Sequence, residues 1–192
     1  MSFGALNSAI NHGFGPFSQY TAKVIGNDWA WLTACLLAAL PMPTWRSATK
    51  SGLLFVWPAV IAYYVSDSLR GTYATEIGGA QVFDVAGVVM DALLYVVFGS
   101  LLAASVGLVV KLFHRGGVLG ILSLLSVPAF IAYRAIETRG WMLQDDAPDD
   151  HALLLVSEWI GGTAILTMAL IVLGAAFRWI VGTRKRASEM NA

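Results

Sequence analysis

The sequence predicts an all-α integral membrane bundle of five transmembrane helices, preceded by a short N-terminal interfacial or re-entrant helix. Three observations carry that prediction. Of the 192 residues, 57% are hydrophobic and 12% charged, and the mean hydropathy is +0.68, whereas water-soluble domains carry about 25% charged residues. Apolar runs near the roughly 20 residues that cross a bilayer core of about 30 Å recur between clear breaks. Basic residues gather in alternate connections, the pattern that orients polytopic proteins.

On this reading, residues 1–192 form one transmembrane helical domain. Residues 1–20 are rich in Gly and Asn, with apolar spacing that is helical only in part. They lack both the basic start and the long apolar core of a cleaved signal. The first span runs from about Asp28 to Leu40, or with an earlier start near Tyr20 covers about 20–40, and stops at Pro41-Met42-Pro43, because proline lacks a backbone donor and restricts the residue before it. The later spans cover about 50–69, 82–110, 117–136 and 152–181. Arg46 and Lys50 precede the second span, Lys111 and Arg115 separate the third from the fourth, and Arg178, Arg184, Lys185 and Arg186 close the chain. All three groups are expected on the cytoplasmic side of the membrane, with the N-terminus outside and the C-terminus inside. The single cysteine, Cys35, excludes an intrachain disulfide. Gly99, Gly116-Gly117, Gly120 and Gly161-Gly162 suit close helix approach.

The acidic residues are distributed unevenly in this scheme. Of the twelve, only Glu189 falls on the cytoplasmic side, while Glu76, Asp145, Asp146, Asp149 and Asp150 occupy outer loops. The other six, Asp28, Asp67, Asp84, Asp91, Glu137 and Glu158, fall at or within the outer halves of the spans. Some have local explanations. Glu137 follows Arg134 by three residues and Asp67 precedes Arg70 by three, spacings that pair charges on a helix. Asp28 stands where an aspartate caps a helix. Asp91 and Glu158 lie roughly 10 Å deeper than Asp84 and His151, with no basic residue in helical reach. A charge at such depth faces a bundle interior or a watery cleft. Asp84, Asp91, Tyr95 and Phe98 share one helical face by their spacing of seven, four and three.

Asp91 and Glu158 are therefore the leading candidate acids, with Asp67, Asp28 and Asp84 behind them. Trp29, Trp31 and Trp141 read as an interfacial belt. Tyr63, Tyr64, Tyr95, Phe98 and Trp159 lie too close to the carboxylates for a belt and are candidate substrate-binding rings. Aromatic faces stabilise cations, so acid and aromatic groups together suit carbocation chemistry. His12, His114 and His151 are too scattered for a metal centre, and nucleotide, nucleophile-elbow and paired-cysteine motifs are missing. No cofactor and no nucleic-acid partner is expected; the partners are membrane lipids and a lipophilic small molecule.

The segment Asn27 to Gly71 resembles a family of small bacterial membrane proteins of largely uncharacterised function, through Asn27, Trp29, Trp45-Arg46, Gly52, Tyr63-Tyr64 and Arg70-Gly71. It covers about a quarter of the chain. In length, span number and acid-aromatic content the chain is also similar to the membrane-bound terpene cyclases of bacterial indole sesquiterpenoid pathways. That likeness implies protonation of an alkene or epoxide of a prenyl substrate, followed by ring closure, with no metal required because no diphosphate leaves. Two other readings stay open: a small transporter or cation- or lipid-binding protein, and an accessory subunit of a membrane complex. Carboxylates restricted to the outer half count against a proton path through both leaflets.

The orientation is tested by reporter fusions at Arg46, Arg115 and the C-terminus. Cytoplasmic signals are expected at all three, and a periplasmic signal at Arg115 would overturn the span count.

Overall fold

The computed structural model describes residues 3–77, 80–144 and 150–190. Among them are seven helices and one hairpin: α1 (Phe3–Asn11), α2 (Pro16–Ile25), α3 (Asp28–Ala39), α4 (Trp45–Leu69), β1 (Ala74–Ile77), β2 (Ala80–Phe83), α5 (Val85–Arg115), α6 (Gly117–Met142) and α7 (His151–Met190). Helices α4, α5, α6 and α7 are long and apolar enough to cross a membrane. The expected first span is not one helix. It divides at Gly26-Asn27 into α2 and α3, and α3, at 12 residues, is about 18 Å long, too short to cross alone.

Local chemistry explains where the long helices begin. Thr44 and Ser47 form a reciprocal capping box, so α4 starts at Trp45, about five residues before the expected span, and takes in Arg46, which the sequence alone left in a connection. Asp84 Oδ1 accepts from Gly87 N at 2.8 Å and opens α5. Asp150 Oδ1 accepts from Leu153 N at 2.9 Å and opens α7. Each side chain satisfies one of the backbone donors that a helix start leaves unpaired. Asp145, Asp146 and Asp149 lie outside the described residues. The antiparallel hairpin joins α4 to α5 in the register Ala74 to Phe83 and Ile77 to Ala80.

The chain divides into two compact units, Met1–Lys111 and Leu112–Ala192. In the first, α4 and α5 meet along a seam of small residues. A Cβ at Gly99 would come within 2.2 Å of Val56 Cγ1, and one at Gly107 within 2.1 Å of Thr49 Oγ1. Lipid tails are as apolar as leucine, so close backbone approach and van der Waals packing, rather than expulsion of water, hold such seams. Helix α3 packs beside the N-terminal half of α4: Cys35 and Ala39 are fully buried, and Ser51 donates to the Ala38 carbonyl at 2.7 Å. Helix α1 packs on the C-terminal half of α4, where Gly4 lies so close that a Cβ would overlap the Ala59 carbonyl. Trp29, expected in an interfacial belt, is instead buried, and its indole donates to the Val24 carbonyl at 2.9 Å. Trp31 packs edge-on against Phe3.

In the second unit, α6 and α7 form an antiparallel pair. Ser123, Val127, Ala132 and Ala135 of α6 are buried, as are Val156, Ser157 and Ala164 of α7, spacings that trace one face of each helix. Gly161 sits over Ala135, where an added Cβ would be only 3.2 Å from the alanine methyl. The turn into α6 uses positive φ at both Gly116 (68°) and Gly117 (64°), a conformation that glycine adopts without steric penalty.

Candidate functional site

The candidate site belongs to the first unit and is built from α1, the C-terminal turns of α4, the following turn and the start of α5. Its base is Asp67, a buried carboxylate at 5% exposure. The spacing to Arg70 does not produce an ion pair; the carboxylate turns toward α1. Ser8 Oγ donates to Asp67 Oδ1 at 2.5 Å, and His12 Nε2 lies 3.2 Å from the same oxygen. A carboxylate oxygen only accepts, so Nε2 carries the proton in this contact. The same His12 nitrogen lies 3.3 Å from Thr72 Oγ1, and Thr72 N donates to the Asp67 carbonyl at 3.2 Å. The turn after α4 is thereby tied to α1.

Above this base stands a tyrosine cluster. Asn11 Nδ2 donates to the Tyr63 hydroxyl at 3.3 Å, and Tyr63 meets Tyr64 edge-on at 5.4 Å. Tyr64 in turn contacts Tyr95 at 5.8 Å and Tyr73 at 6.3 Å, separations typical of interacting rings. Tyr73 then donates its hydroxyl to Asp91 Oδ2 at 3.1 Å. Two carboxylates and four tyrosines therefore form one connected group.

The expected site residues are redistributed. Asp67, Asp91, Tyr63, Tyr64 and Tyr95 enter the group. Asp84 does not share an internal cleft with Asp91; it is exposed and caps α5. Asp28 lies in the first turn of α3, after Asn27 at the cap position. Phe98 and Trp159 are on exposed helix faces, at 58% and 77%. Glu158 has a basic partner after all, Arg139 of α6, at 3.2 Å, and Glu137 pairs with Arg134 as its spacing indicated. Asp91 is exposed rather than enclosed. Helix α5, at 31 residues, is about 46 Å long and outreaches a core of about 30 Å at its ends. Asp91 is its seventh residue.

Sequence reasoning missed Ser8, Asn11, His12, Thr72 and Tyr73. A signal existed for part of this set: Asn7, Ser8, Asn11 and His12 are spaced by one, four and five, which places them on one face at helical pitch. That face is polar and meets the buried carboxylate. No family model, curated protein or solved structure matches the chain, so its chemistry has to be read from its own residues.

Tyr73 lies outside the spanning helices and its hydroxyl is pushed up to about 12, first by burial and then by the hydrogen bond to Asp91 and the charge of Asp91. Its unfolded value is about 10, so the folded state holds this proton more tightly. The resulting stability is present in full below about pH 10 and is lost as pH rises through about 12. The difference in phenolate absorbance between wild type and Tyr73→Phe should titrate near pH 12. Asp91→Asn should lower that midpoint without returning it to about 10, because burial, the largest single cause, remains. An unchanged midpoint in Asp91→Asn would show that the two groups do not interact.

Proposed function

We propose that the chain is a membrane-embedded, protonation-initiated cyclase acting on a lipophilic prenyl chain drawn from the bilayer. The observation that carries this reading is the hydrogen bond from Tyr73 to Asp91 beside the rings of Tyr64 and Tyr95. Asp91 is the general acid. Tyr73 orients it and stabilises the carboxylate left after proton transfer. The faces of Tyr64, Tyr73 and Tyr95 shield positive charge, at about 0.5–2 kcal/mol per ring. Exposure of Asp91, Tyr95 and Phe98 suits a substrate that arrives sideways from lipid. Glu158 is engaged by Arg139, which favours Asp91 over it for this role.

The Asp91 proton goes to a terminal alkene carbon, where the π electrons form the new C–H bond, or to an epoxide oxygen, whose C–O bond then breaks. The electron-deficient carbon is attacked by the π electrons of a neighbouring double bond, forming a C–C bond and moving the charge. Loss of a proton from an adjacent carbon to the carboxylate ends the sequence and restores the acid. In this reading α2 and α3, 22 residues together with a summed helix length of about 33 Å, form a fifth, broken crossing. The N-terminus is then outside and the C-terminus cytoplasmic, in a bacterial plasma membrane.

The test is turnover by the purified chain in detergent with polyprenyl substrates, plain and epoxidised, followed by product analysis. Asp91→Asn should lower cyclisation by about 10²- to 10⁴-fold, the usual share of general acid catalysis. Tyr73→Phe should lower it less, and Tyr95→Leu should alter the product mixture. Full turnover in Asp91→Asn, or none in wild type with either substrate class, contradicts the proposal.

A further inference from the structure

The seam between α4 and α5 ends in a group of cations with no carboxylate beside them. The two helices run antiparallel: Gly99 sits over Val56, and Gly107 over Thr49 and the Trp45 carbonyl. Continued past Gly107, that register sets Lys111 within about one turn of Arg46 along the seam. The hydrogen bond from Trp57 Nε1 to Ser100 Oγ, at 2.9 Å, marks one flank of the same seam. Lys50 precedes Trp57 by seven residues and Lys111 follows Ser100 by eleven, close to two and three whole turns. Both therefore stand on that flank, and Arg46, one turn before Lys50, joins them. Arg46 and Lys50 are exposed. The Arg46 guanidinium lies 6.0 Å from the centre of the Trp45 ring, a contact that steadies the cation at the helix start.

Among the described residues none of these three cations has an acidic partner. The five acidic residues of this unit lie toward its other end: Asp67 in the last turns of α4, Glu76 in β1, Asp84 and Asp91 at the start of α5, and Asp28 at the start of α3. It is the opposite end of α3 that Ser51 bonds. Like charges on one flank repel one another until an anion sits among them. Helix α4 also starts here, and its N-terminus adds partial positive charge. Beyond the cations the flank is apolar and open, with Trp57 46% and Leu54 77% exposed and Ala104 exposed beside them. A ligand that fits both parts is anionic at one end and apolar along the rest. Basic pockets between spanning helices take phospholipid headgroups in this manner.

We infer that Arg46, Lys50 and Lys111 bind the phosphate of an anionic phospholipid whose acyl chain lies along the α4–α5 flank past Trp57. The site needs only a membrane-embedded chain and does not rest on the cyclase reading. Basic residues that serve only to orient the chain act while it inserts and do nothing in detergent, whereas a lipid site persists there.

The experiment is thermal unfolding of the purified chain in an uncharged detergent, followed by far-UV circular dichroism, with phosphatidylglycerol or phosphatidylcholine added at equal mole fraction. Binding to the folded state raises Tm. For a chain of this size, a rise of about 2–4 °C with phosphatidylglycerol over phosphatidylcholine is expected. Lys50→Gln and Lys111→Gln should each reduce the rise, and combining both with Arg46→Gln should abolish it. Arg70→Gln removes an exposed cation at the other end of α4 and should leave the rise intact. If the triple variant does not fold, the two single variants carry the comparison with Arg70→Gln. Equal Tm in both lipids, a full rise in Lys50→Gln and Lys111→Gln, an equal loss in Arg70→Gln, or the same rise with inorganic phosphate alone overturns the inference.

Discussion

The buried carboxylate of Asp67 is the constraint on which the first unit depends. It lies in the last turns of α4, where the helix end is itself partly negative and disfavors another negative group. Burial adds a desolvation cost. Ser8 and His12 offset both by directing donors at one oxygen. Helix α1 has nine residues, fewer than the ~12–15 that an isolated helix needs to be even marginal in water. It persists because its polar face is held by this carboxylate while Gly4 allows its backbone to press on that of α4. From Asp67 the constraint passes through His12 to Thr72, fixing the turn that carries Tyr73, and so reaches Asp91. The acid proposed to do chemistry is thus linked to Asp67 through His12, Thr72 and Tyr73.

A second principle governs the rest. Helices in lipid gain little from apolar burial against one another, so their seams are built where side chains are smallest. Gly99 and Gly107 serve this role between α4 and α5, and Ala135 with Gly161 between α6 and α7. The arginines in the C-terminal turns of α6 are both neutralised, Arg134 by Glu137 along the helix and Arg139 by Glu158 across the seam. Paired charges of this kind need no functional explanation, and that accounts for one of the two carboxylates that the sequence singled out as deepest.

The four long helices were legible because an apolar run of about 20 residues has few alternatives; the caps at Thr44, Asp84 and Asp150 emerged only from the structure. The division of α2 from α3 was less so. Gly26-Asn27-Asp28 is a stop followed by a start; the start at Asp28 was legible, but an earlier start near Tyr20 stayed open, so α2 was not recognised as a separate helix. Asp67 was misread for a different reason: helical pairing rules see neighbours three or four residues away, whereas Ser8 is 59 positions distant. Glu158 met the same limit, since Arg139 lies on another helix. Three of the four tyrosines of the cluster were visible, Tyr63, Tyr64 and Tyr95, from their closeness to carboxylates in sequence. Tyr73 was invisible, because a turn residue acquires meaning only from the contacts that place it.

The most direct measurement of the central claim is a double-mutant cycle between Ser8→Ala and Asp67→Asn, read as unfolding free energy of the purified chain in detergent. A hydrogen bond to a buried charged group is worth about 1.5–3 kcal/mol, and residues sharing one network couple on that scale. The account predicts a coupling energy in that range, with loss of α1 protection from hydrogen exchange in both single variants. Additivity within about 0.5 kcal/mol, with α1 still protected in Asp67→Asn, would show that the carboxylate does not hold α1 in place.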